Sequence, residues 1–103
     1  MAEKNLLLGS LNEVYGEFLS AKQRRIVSAY YDEDLSLAEI AENEGITRQA
    51  VLDSIKRASA KLDSLEKKYG YYATILDLKN LSAKVKEGDK DALDKMLRIV
   101  DNI

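Results

Sequence analysis

The chain has 103 residues, of which 46% are hydrophobic and 33% charged, with a net charge of −2. That balance excludes intrinsic disorder and leaves room for one packed domain, or one domain with an appendage. There is no cysteine and no histidine, so disulfides and thiolate metal sites are excluded and the usual general bases and nucleophiles are missing.

There is also no proline, a residue that loops and sheet proteins use freely and helix interiors reject, so an all-α fold is expected. A first helix is predicted from about Asn5 to Leu19, with Leu7, Leu11, Val14, Tyr15 and Phe18 on one apolar stripe. The Leu6-Leu7-Leu8 cluster is too short for a signal peptide or a membrane span, so no membrane insertion is expected, and the absence of cysteine fits a cytoplasmic chain. Ser20 followed by Gln23 reads as a capping box that opens a second helix carrying Ile26, Val27, Tyr30 and Tyr31 and ending near Asp32. Ser36 and Glu39 form a second capping box. It opens a short third helix, in which Leu37, Ile40 and Ala41 face inward and which Gly45 ends. Thr47 caps a fourth helix that starts at Arg48, places Val51, Ile55, Ala58 and Leu62 on its inner side, and runs toward Lys68 with Gly70 as its terminator.

Beyond Gly70, Ile75, Leu78, Leu81 and Val85 lie on the stripe of a fifth helix, Glu87-Gly88-Asp89 reads as a turn with an N-cap, and a last helix from Lys90 holds Leu93, Met96, Leu97 and Val100. The organisation expected is a four-helix, helix-turn-helix domain over residues 1–69 and a C-terminal extension of two helices over residues 70–103. Helices that short are marginal alone, so the last two must fold back or pair with a second copy. A homodimer would also present two basic helices together.

Two helices joined across one glycine, with a small residue at their closest approach and apolar residues between them, form a helix-turn-helix signature. Ala41 is the small residue, Gly45 makes the turn, and Val51 and Ile55 fill the space between. Thr47, Arg48, Gln49, Leu52, Asp53 and Lys56 are then expected on the outer face, where a recognition helix meets base edges. Charge is unevenly spread. Residues 31–44 carry six acids and no base, whereas residues 45–69 carry six bases against three acids. Nucleic-acid contact is therefore assigned to Thr47, Arg48, Gln49, Leu52, Lys56, Arg57 and Lys61, although charge alone fits a solvated helical face equally well. The acidic cluster Asp32-Glu33-Asp34 reads as a helix end and loop ahead of a helix N-terminus that favours negative charge, and it lacks the alternating spacing of a calcium loop. Neither catalysis nor a bound cofactor or metal is expected. Tyr15, Tyr30 and Tyr31 fall on apolar stripes and are read as core, while Tyr69, Tyr71 and Tyr72 either pack the last helices or line a partner groove.

The segments Leu19-Ser20-Ala21-Lys22-Gln23-Arg24, Tyr30 to Ala41 (YYDEDLSLAEIA) and Thr47-Arg48-Gln49-Ala50-Val51 closely resemble the YlxM-like family, small bacterial proteins similar to sigma factor region 4. The resemblance covers about Leu6 to Tyr69, and Leu52 stands where it leads one to expect an aromatic. It implies a regulatory or accessory role in the signal recognition particle pathway, with nucleic acid (DNA or the particle's RNA) or the particle's GTPase as partner. A sequence-specific DNA-binding transcriptional regulator is the alternative.

Overall fold

The computed structural model describes residues 6–103, with side chains from Leu7 onward. The described residues form six α-helices and one 3-10 turn, with no strand among them: α1 Leu6–Tyr15, the turn Gly16–Phe18, α2 Ala21–Tyr31, α3 Leu37–Glu44, α4 Arg48–Tyr69, α5 Tyr71–Lys86 and α6 Lys90–Asp101. None of the helices is long and apolar enough to cross a membrane among the described residues. The chain divides into two compact units between Tyr69 and Gly70.

In the first unit both predicted capping boxes are present. Ser20 Oγ accepts from the Gln23 N–H at 3.1 Å while the Ser20 N–H donates to Gln23 Oε1 at 3.2 Å. Ser36 and Glu39 repeat the exchange at 3.1 and 3.2 Å. Each box satisfies backbone donors that a helix start leaves without intrahelical partners. The first helix departs from its predicted course. Its expected start at Asn5 lies outside the described residues, and its α-helical part stops at Tyr15 instead of reaching Leu19. Leu19 must be extended (ψ 156°) to lead into the capping serine, and its N–H closes the 3-10 turn on the Gly16 carbonyl. A turn of three residues shifts the phase of the stripe, so Leu19 is buried and Phe18 is 55% exposed. Leu7, also placed on the stripe, is exposed, whereas Leu11 and Tyr15 are buried as expected. Asn12 joins them inside, donating from Nδ2 to Ser28 Oγ at 3.2 Å.

The core runs through Ile26, Tyr30, Leu37, Ile40, Ala41, Val51 and Ile55. Val27, Ala58 and Leu62 are buried too. Tyr15 donates its hydroxyl to Glu66 Oε1 at 2.6 Å, fastening α1 to the distal half of α4. Tyr30 and Tyr31 meet edge to face with centroids 5.0 Å apart. Burial of Tyr15 and Tyr30, with Tyr31 half-buried, makes this trio core rather than a stacking platform.

The second unit is a helical hairpin. Asp89 caps α6 by accepting the Ala92 N–H at 3.0 Å, and Gly88 takes a positive φ of 95° in the turn. Leu78, Leu81 and Val85 of α5 are half-buried as predicted, but Ile75 is 37% exposed. On α6 the expected inward set is displaced. Met96 is half-buried as predicted, but Ala92 is buried and Ile99 half-buried, while the predicted Leu93, Leu97 and Val100 are exposed. Apolar residues on α6 span two adjacent rows of the helix surface, and the packing against α5 uses only one of them.

Candidate nucleic-acid interface

The turn between α3 and α4 begins from local chemistry. Gly45 adopts φ 68° and ψ 33°, the left-handed conformation that an L residue with a Cβ avoids. Its N–H reaches the Glu42 carbonyl at 3.3 Å and the Ile46 N–H reaches the Ala41 carbonyl at 3.0 Å, a Schellman closure that satisfies the last carbonyls of α3. Thr47 Oγ1 then accepts the Ala50 N–H at 3.0 Å and starts α4. Ala41, 7% exposed, sits where the two helices converge, with Val51 and Ile55 between them. Sequence and structure agree on every one of these positions.

The outer surface of α4 is less uniform than the motif suggests. Gln49, Asp53 and Lys56 recur at spacings of four and three and make the outward row. Within it, Gln49 Nε2 donates to Asp53 Oδ1 at 3.0 Å, so the amide expected to pair with adenine is already engaged and lies beside a carboxylate. Leu52 requires a correction. It is half-buried and packs against the core cluster, because its position on α4 lies next to the inner row rather than opposite it. Thr47 is exposed, but its hydroxyl is held in place by the cap, where its oxygen accepts the Ala50 N–H.

The basic residues fall into separate surroundings. Arg48 shares a shallow depression with Asp34, Ser36 and Glu39, so acidic groups stand beside it. Arg57 shares another with Ser20, Lys22, Gln23, Asp53 and Ser54. Lys56 lies on the outward row, and Lys61 is exposed one turn beyond Arg57. The seven residues assigned from the sequence therefore do not make one patch. Lys22 was missed, although it belongs to the same capping segment that carries the family resemblance. Its proximity to Arg57 arises only when α2 packs on α4.

Away from this surface, the two helices preceding α4 are linked by a bidentate pair. Arg25 Nη2 donates to Glu44 Oε1 at 2.9 Å and Arg25 Nε to Glu44 Oε2 at 3.3 Å. The hydrogen bond from Arg25 holds the Glu44 carboxyl below the ordinary glutamate range, and the same contact raises Arg25. Tyr31 is shifted upward, mainly because burial disfavours the phenolate. No group of three or more Asp or Glu side chains is arranged to hold a metal ion among the described residues.

The family model that matches the chain is UPF0122, helix-turn-helix proteins of the YlxM/p13-like type, over residues 2–102. The UPF0122 protein of Halalkalibacterium halodurans is 39% identical over 98 residues, covering 94% of this chain and 90% of that protein. A UPF0122 protein of Bacillus cereus strain AH187 is 41% identical over 87 residues, 84% of this chain and 79% of the relative. The UPF0122 protein of Desulforamulus reducens is 50% identical over 60 residues, which span 58% of this chain and 51% of the relative. The chain belongs to the UPF0122 family of YlxM/p13-like helix-turn-helix proteins.

Proposed function

We propose that this family member is a non-enzymatic, cytoplasmic nucleic-acid-binding protein. It acts as an accessory or regulatory component of the signal recognition particle pathway and contacts the particle's RNA through α4. The observation that carries the nucleic-acid reading is the contrast on that helix. Lys56, Arg57 and Lys61 are exposed and available to phosphate, while the side chains that would read bases are engaged (Gln49 with Asp53) or turned to the core (Leu52). Phosphate contacts position a protein on a nucleic acid without selecting sequence, which suits recognition of a folded RNA by shape. The link to the targeting pathway rests on the resemblance carried by the segments around Ser20, Ser36 and Thr47. The non-enzymatic reading rests on a composition without histidine or cysteine.

The test is a titration of the particle's RNA and of random and mixed-sequence DNA duplexes at two salt concentrations. Three phosphate contacts on a duplex give a log–log salt slope of roughly −2.7. Replacing Lys56 and Arg57 by alanine is expected to weaken RNA binding and flatten that slope by about two contacts. Absence of RNA binding at low salt, or binding indifferent to those replacements, would refute the proposal. A strong preference for one DNA sequence would establish the transcriptional-regulator alternative. Recovery of the particle's RNA or GTPase with tagged protein from cell extract tests the pathway assignment separately.

A further inference from the structure

The α5–α6 hairpin leaves part of its apolar surface open. Among its residues only Ala92 is fully buried, while Ile75, Leu93, Leu97 and Val100 are 37%, 39%, 47% and 51% exposed. Leu93, Leu97 and Val100 stand at spacings of four and three, so they form one row along α6. That row flanks a groove between the two helices, lined by Leu78, Ser82 and Met96 with Val100 at its side. A pair of helices with one apolar face uncovered lacks the second layer that a stable helical unit needs.

The edges of this face differ in charge. Lys79 and Lys86 line the groove on the α5 side. On α6 the next row outward from Leu93, Leu97 and Val100 holds Lys90, Asp94 and Asp101, so its central and distal charges are acidic. The face is complementary to itself at its middle, where Lys79 stands on one helix and Asp94 and Asp101 on the other, whereas Lys86 and Lys90, near the turn, carry the same charge. Rotated by a two-fold axis parallel to the helices, α5 of one copy lies over α6 of the other, and Lys79 comes level with Leu97, between Asp94 and Asp101. A two-fold axis perpendicular to the helices would instead set Lys79 near Lys79 and acid near acid.

We propose that this hairpin face is the docking surface for a second copy of the same chain, forming a four-helix bundle in which Lys79 of each copy meets the Asp94–Asp101 edge of the other. The hairpin face measures about 24 Å by 20 Å from helix length and spacing, so roughly 1,000 Å² is buried in total. That is the small end of specific interfaces, so the association is concentration dependent. Dimerisation through the hairpin would give the assembly two copies of α4, whichever nucleic acid is bound.

The experiment is sedimentation equilibrium of the full chain from ~1 to ~500 µM, a range that brackets association through a face of this size. The wild type is expected to pass from monomer to dimer, and Leu97→Asp to remain monomeric with unchanged helicity by circular dichroism. Lys79→Glu alone, and Asp94→Lys with Asp101→Lys in a second protein, are each expected to weaken self-association about tenfold or more, because like charges then face one another. Mixed in equal amounts, these two proteins are expected to form a heterodimer, since both contact edges again pair opposite charges. All three charge changes are at exposed positions, so loss of folding does not confound them. A wild type that stays monomeric throughout, charge variants that dimerise like the wild type, or a mixture that fails to associate would each overturn the proposal.

Discussion

Replacing Gly45 by L-alanine separates two reasons why a glycine stands in the helix-turn-helix turn, space and backbone conformation. A Cβ built on Gly45 meets no heavy atom within 4 Å, so a steric cost is absent. The backbone is at φ 68°, where an L residue costs about 1–2 kcal/mol. Alanine also restricts the unfolded chain, which offsets about 0.4–1 kcal/mol of that. The expected net loss is about 1 kcal/mol, equivalent to a fall of roughly 4–8 °C in the melting temperature of a unit this size. Gly45→Asn is expected to lose less, because asparagine tolerates the left-handed region. A semisynthetic protein with D-alanine at the same position provides the sharper measurement. Its Cβ replaces the other α-hydrogen on a backbone that suits its chirality, so a gain of about 0.4–1 kcal/mol is expected from the unfolded state alone. Urea unfolding followed at 222 nm reads all three, with the transition of the first unit analysed separately from that of the hairpin. Equal destabilisation by D- and L-alanine would show that packing, not the dihedral, selects glycine here. No effect of L-alanine would show that the turn relaxes at negligible cost.

Thr47→Ala removes the oxygen that accepts the Ala50 N–H at 3.0 Å, and a loss of about 0.5–2 kcal/mol is expected in the same urea assay, with Thr47→Ser close to wild type. Leu62, fully buried on the inner row of α4, is expected to lose about 2–5 kcal/mol as Leu62→Ala, measured by denaturant midpoint at unchanged m-value. The Arg25–Glu44 pair gives a pH signature. Because folding lowers the Glu44 pKa, its contribution is present above the unfolded glutamate value of about 4.3 and is lost as pH falls through the lower folded value. The stability gap between wild type and Glu44→Gln is therefore expected to be constant near neutrality and to close on acidification below that range. A gap that is flat through the acid limb would mean the pair contributes nothing in solution.

The features legible in the sequence were those with a local cause. Ser20 with Gln23 and Ser36 with Glu39 lie three residues apart and bond within one turn, so the starts of α2 and α3 needed no knowledge of the rest of the chain. Gly45 terminates α3 through its own dihedral, and Ala41, Val51 and Ile55 follow from helical spacing on either side of it. What escaped sequence reading depended on phase or on competition between equivalent positions. Phe18 left the predicted stripe because a 3-10 turn changed the periodicity, and Asn12 entered the interior because a hydroxyl on α2 met its amide.

The sequence by itself determined an all-α chain, its helix boundaries to within a few residues, and the packed helix-turn-helix, because caps, turns and short-range periodicity are written within a few residues of where they act. The tertiary structure alone decided which side chains the surface presents. It sent Leu52 toward the core, set Ala92 and Ile99 beside Met96 on the inward row of α6 in place of Leu93, Leu97 and Val100, and divided the basic residues of α4 among different neighbours. Arg48 came to lie beside Asp34 and Glu39, and Arg57 beside Lys22. Those pairings join residues from different helices, and the character of a surface charge is set by what packs next to it.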